Sequence, residues 1–121
     1  MRLPIQFALT CPQRRYLEGE RLDFARLGTL NFYAPDPENF PALPLAYAAG
    51  RKGGNAPTIY NAANEWAVAR FLDGKLSYPG ILQAIEEAFV SVKYRKNPTV
   101  DEILETEREV YEFLSGDGFH S

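Results

Sequence analysis

A single cysteine, Cys11, and a single histidine, His120, leave this 121-residue chain without two kinds of chemistry. No intrachain disulfide can form, and no Cys/His zinc site can be assembled. Net positive charge is also missing: 16 acidic against 13 basic side chains give −3, which argues against nucleic acid and against electrostatic membrane binding. No apolar run approaches the roughly twenty residues of a membrane span, and no signal-peptide pattern opens the chain. The expected compartment is the cytosol. Internal repeats and low-complexity tracts are absent.

What is present is an uneven distribution of proline. Seven of the nine prolines lie at or before Pro57, leaving Pro79 and Pro98 afterwards. The chain therefore reads as an irregular first part and a helical second part. Its apolar share of 45% is normal for a globular protein, and its length allows one modest core.

The organising stretch runs from Ala56 to Gly74. Asn55 is placed to cap it, Pro57 suits a first turn whose N–H groups have no helical partner, and Gly74 suits the left-handed position after the last turn. Ile59, Ala63, Trp66 and Ala67 form an apolar band that Tyr60 and Phe71 widen, the pattern of a helix contacted from several sides. Trp66 is expected at the centre, where truncation to alanine would cost roughly 3–5 kcal/mol if the indole is fully buried. Thr58, Asn61, Asn64 and Glu65 gather on one stripe. That stripe is either the solvated side of an amphipathic helix or a tie to an irregular segment or another domain, since amides offer both donors and acceptors. A carboxylate without a nearby His, Cys or second acid makes no acid–base pair.

Around this helix the local signals are clear. Pro4 in a first turn and Pro12 beyond predict a short helix within residues 1–10. Residues 12–24 read as a linker. Leu27-Gly-Thr-Leu-Asn-Phe-Tyr33 alternates, with Leu30 and Phe32 on one face, and predicts a strand whose partner lies outside the chain. Asp36 can cap a turn begun by Pro37. A helix over Ala42–Lys52, with Pro44 in its first turn, buries Leu45, Ala46 and Ala49. Gly50 inside it suggests close packing or early fraying, and Gly53-Gly54 stop it. The Lys52-Gly-Gly sequence lacks the spacing and preceding strand of a phosphate loop. Ser77 caps a third helix carrying Ile81, Leu82, Ile85, Ala88, Phe89 and Val92, with Lys93, Arg95 and Lys96 placed to complement its C-terminal dipole. Two capping boxes, Thr99…Glu102 and Thr106…Glu109, allow either one helix from Val100 to Leu114 or a break near Thr106. His120 lies in a frayed tail.

Taken in order, Met1-Arg-Leu-Pro-Ile5, Leu27-Gly-Thr-Leu-Asn-Phe32, Leu45-Ala-Tyr47 with Gly50-Arg-Lys-Gly-Gly54, and Asn61-Ala-Ala-Asn-Glu65 with Ala67-Val-Ala69 resemble one family. It is 1-deoxy-D-xylulose 5-phosphate reductoisomerase, and the resemblance covers only that family's C-terminal third. Tyr60, Trp66, Pro44 and Glu107 depart from the family pattern. The resemblance implies a parent enzyme that uses NADPH and Mg or Mn to convert 1-deoxy-D-xylulose 5-phosphate to 2-C-methyl-D-erythritol 4-phosphate. Residues 1–11 would be the tail of its catalytic domain, 12–40 a linker with a strand near 27–33, 41–115 a C-terminal helical bundle and 116–121 a frayed tail. The implied fold is mostly α, about four helices preceded by a linker arm with one short β-strand. Of the cofactor machinery only Met1 would remain, packing beside nicotinamide. No catalytic or metal residue is expected, and Asn61, Asn64, Glu65 and Trp66 would serve a structural, interdomain role. The fragment alone is expected to be inactive, partnered by the rest of the enzyme, and prone to self-associate through its N-terminal arm or strand. The competing reading is a free-standing helical interaction module.

Overall fold

The computed structural model describes residues 2–116. Among them lie six helices and no strand. They fall into two compact units, Met1–Ala34 and Pro35–Ser121.

The first unit has almost no core. Helix α1, Arg2–Thr10, buries no residue, and Leu9 is 83% exposed. The Thr10 hydroxyl sits 3.0 Å from the Gln6 carbonyl and 2.8 Å from that of Gln13, finishing the helix, and Gln6 Nε2 donates to the Tyr16 carbonyl. Arg14 lies over the Phe7 ring. A short helix that the linker reading missed, α2, spans Phe24–Leu27. Its signal was Asp23, whose carboxylate accepts from the N–H groups of Ala25 and Arg26 in an ordinary N-cap.

That helix changes the reading of the predicted strand. Leu27 is helical, Gly28 turns the chain at φ 72°, and residues 29–33 join no ladder among the described residues. A strand exists only through its partner's hydrogen bonds, and alternation supplies none. Phe32 consequently stands 87% exposed.

The second unit is a four-helix bundle. The Asp36 carboxylate accepts from the N–H groups of Glu38 and Asn39 and from the Asn39 amide, and these bonds, the Asn39 side chain first, hold its carboxyl below the usual range. Helix α3 then runs Ala42–Lys52, with Ala49 buried and Leu45 and Ala46 only half-buried. Gly50 explains neither packing nor fraying, since a Cβ there would meet open space and the helix continues past it. Helix α4, Ala56–Leu72, buries Ala56, Ile59, Ala62, Ala63 and Ala67. It closes in a Schellman turn: Gly74 N–H donates to Phe71 and Lys75 N–H to Arg70, with Gly74 at φ 72°.

Helix α5, Tyr78–Ser91, starts at Ser77, whose hydroxyl accepts from Gly80 N–H, and buries Ala84, Ile85 and Ala88. Ile81, Leu82 and Phe89 are half-buried rather than central. Helix α6 is continuous over Val100–Ser115, opened by the Thr99/Glu102 capping box, with Thr106, Val110 and Leu114 buried. The Thr106 hydroxyl lies 2.7 Å from the Glu102 carbonyl, inside the helix, so the second box caps nothing.

Helix α4 is the hub: it packs most extensively on α5, then on α6 and α3, while α5 also touches α6. Its alanines explain this, because small side chains let three neighbours approach one axis. Trp66 departs from its expected place. It is half-buried at the bundle's edge, its Nε1 donates to Ser115 Oγ at 3.0 Å, and Arg70 lies over its ring.

Candidate functional site

Three features of the bundle bear on function, and a buried polar cluster is the best built. Asn55 is fully buried, yet it does not cap α4. Its Nδ2 donates to the Lys93 carbonyl at 3.0 Å and lies 3.1 Å from Thr106 Oγ1, while its Oδ1 accepts from Arg95 N–H at 2.8 Å. The backbone joins in, with Asn55 N–H donating to the Arg95 carbonyl. One side chain thus satisfies polar groups in the α5–α6 connection, which has no ladder of its own.

Arg95 extends the cluster. Its guanidinium bonds Glu109 through both terminal nitrogens at 3.1 and 2.9 Å, Glu105 at 3.3 Å and Thr106 Oγ1 at 3.1 Å. The fork geometry favours the ionised pair on both sides. Glu109 is held below the usual glutamate range chiefly by Arg95, and Arg95 holds its proton more tightly chiefly through Glu109. Helix α5 ends at Ser91, so Arg95 serves α6 instead of the α5 dipole. Lys52 is likewise occupied, its ammonium 4.5 Å from the centre of the Tyr94 ring, and forms no phosphate loop.

The second feature is the α4 stripe. Asn61 and Glu65 are exposed and Asn64 is half-buried. Neither amide has a hydrogen-bond partner among the described residues. Trp66 sits beside the stripe and belongs to the α4–α6 seam. The third is a groove of about 510 Å³ beside Asn64, walled by the Asp36 turn, α4 and the first turns of α5.

Among the described residues no group of three or more His, Cys, Asp or Glu side chains is arranged to hold a metal ion. A Mg or Mn site therefore does not fit the described side chains, and among those residues no glycine-rich turn joins a strand to a helix for a dinucleotide. Met1 and His120 lie outside the described residues. No helix among those described is long and apolar enough to cross a membrane.

Residues 1–113 match the family model for the DXP reductoisomerase C-terminal domain. The chain belongs to that family. A 1-deoxy-D-xylulose 5-phosphate reductoisomerase from Lachnospira eligens is 54% identical over 114 residues, spanning 94% of this chain and 30% of its own. One from Nostoc punctiforme is 44% identical, spanning 89% of this chain and 28% of its own. The solved reductoisomerase from Zymomonas mobilis, in complex with NADPH, superposes with a TM-score of 0.70 at 37% identity, covering 90% of this chain and 29% of that one. The chain thus spans about 30% of the length of the curated relatives it matches. Sequence reasoning located the family, and it misassigned Asn55 and Arg95. Their only local signal was an Asn before a helix and a cationic run after one.

Proposed function

We propose that this chain is the C-terminal part of a 1-deoxy-D-xylulose 5-phosphate reductoisomerase, and that its bundle supports the catalytic part without chemistry of its own. The parent enzyme uses NADPH and Mg or Mn to convert 1-deoxy-D-xylulose 5-phosphate to 2-C-methyl-D-erythritol 4-phosphate in the cytosol. Residues 1–11 are the tail of its catalytic domain, 12–40 the linker and 41–115 the bundle. The observation that carries this reading is the family match over residues 1–113, which takes in the coreless first unit as well as the bundle. A free-standing interaction module would have no use for an arm that buries nothing.

In the parent, Asn61, Asn64, Glu65 and Trp66 face or brace the junction with the catalytic part, and Met1 packs beside the nicotinamide. The Leu27–Tyr33 segment pairs as a strand only with protein beyond this chain. Alone, with Leu30 and Phe32 uncovered, the chain self-associates through this arm, because open edges and apolar patches seek partners.

Two measurements test the proposal. The full reading frame containing this chain should oxidise NADPH with deoxyxylulose phosphate and manganese, whereas the 121-residue chain should not. Turnover by this chain alone, or a full reading frame without a dinucleotide-binding segment, would overturn it. Light scattering over a concentration series should show the chain associating and a version beginning at Pro35 remaining monomeric. Two monomers would dispose of the association.

A further inference from the structure

The groove beside Asn64 has the shape of half an interface. Phe40, Val68, Tyr78, Ile81 and Leu82 give it apolar walls, and Asn64 is the polar residue that α4 contributes. Its volume of about 510 Å³ would hold a drug-sized ligand. Ligand sites, however, combine apolar walls with several convergent polar groups, and here the lining holds two amides, Asn39 already bonded to Asp36 and Asn64, with the carboxylate of Glu38 as its one charge. Two large aromatic side chains, Phe40 and Tyr78, remain 54% and 60% exposed in this chain. Uncovered aromatics around a concave apolar surface mark a protein contact.

Resting on the reading above, we infer that this groove seats an apolar side chain from the part of the reductoisomerase that lies outside this chain. A peptide group of the same segment bonds the Asn64 amide, and a basic residue faces Glu38. Three observations select this occupant. About 70% of the length of the matching relatives is absent here, so most of the surface able to cover the groove is absent too. Asn64 has donors and an acceptor to spare, which suits an irregular backbone segment. A second copy presents the same concave face, and two hollows do not fill one another across a two-fold axis.

Thiol labelling tests the assignment. Phe40→Cys and Tyr78→Cys, each with Cys11→Ser, are placed in this chain and in the full-length enzyme, and Val90→Cys, at an 88% exposed position outside the groove, serves as reference. Peptide mass spectrometry follows maleimide modification at each site. Both groove cysteines should react at least about tenfold more slowly in the full-length enzyme than in this chain, meaning the groove is open less than roughly a tenth of the time. The reference should react equally in both. Equal rates at positions 40 and 78 would overturn the inference. So would protection already present in this chain, and protection that grows with its concentration would name a second copy as the occupant. An active full-length enzyme with an unprotected groove refutes only this docking site, whereas an inactive one refutes the proposed function, whatever the labelling.

Discussion

Truncating Asn55 to alanine should unfold the bundle at markedly lower denaturant. The substitution removes the acceptor of Arg95 N–H and the donor to the Lys93 carbonyl. Thr106 is less affected, because its hydroxyl keeps the Glu102 carbonyl and the Arg95 guanidinium. Two backbone groups are thus stranded, at roughly 1–3 kcal/mol each when buried without a partner. Arg95 is half-buried and Lys93 exposed, so water reaches part of the vacancy and the lower range applies, about 2–4 kcal/mol in all. That is a large share of the 5–15 kcal/mol typical of a whole domain. With a urea dependence of about 1.5 kcal/mol per molar, the midpoint falls by roughly 1.3–2.7 M. Trp66, the single tryptophan, reports the transition by fluorescence, with far-UV circular dichroism as the second probe. Asn61→Ala is the control, since its amide is exposed and unbonded, and it should move stability by less than about 0.5 kcal/mol. Should Asn55→Ala and Asn61→Ala shift the midpoint equally, the Asn55 cluster does not hold the α5–α6 connection.

Three further outcomes follow from the same bundle. Gly54→Ala should destabilise by about 2–4 kcal/mol in a urea titration, because its φ of 60° strains an L-residue and a Cβ would run into the Arg95 carbonyl. A wild-type midpoint would mean the Arg95 backbone gives way freely. Glu109 and Glu102 both have carboxyls held below the usual range, Glu109 by Arg95 and Glu102 by the Thr99 cap. A depressed folded value contributes stability above the unfolded carboxyl range near 4.3 and loses it as pH falls through the folded value, so the urea midpoint should drop between about pH 5 and pH 3. In Glu109→Gln that drop should shrink, and an undiminished drop would refute the assignment. Trp66→Ala should cost less than the roughly 3–5 kcal/mol of a fully buried aromatic, because the indole is half-buried and keeps one edge on Ser115. A loss inside that range would place it in the core after all.

Chemistry acting within a few residues was legible in the chain itself. Helix α3 occupies the predicted Ala42–Lys52, bounded by Pro41 and Gly53, and α4 ends in the turn that Gly74 foretells. Ser77 and Thr99 each cap the helix they precede. Proline φ, glycine's left-handed freedom and hydroxyl capping act over one turn, so position alone discloses them. The α4 band was legible for the same reason, since helical winding alone fixes which residues share a face.

Whatever depended on a distant partner needed the tertiary structure. Asn55 has the local signature of a cap, yet residues 38 to 51 positions away claim its side chain, and their bonds outweigh one N-terminal N–H. Thr106 and Glu109 spell a capping box, but a buried threonine in an unbroken helix spends its hydroxyl on the preceding turn. Trp66 lies within the apolar band yet stays half-buried, because its indole N–H reaches Ser115 on α6 instead of turning into the core. Leu27–Tyr33 carries the alternation of a strand and has no strand beside it among the described residues, since alternation encodes two faces while the ladder must come from another segment.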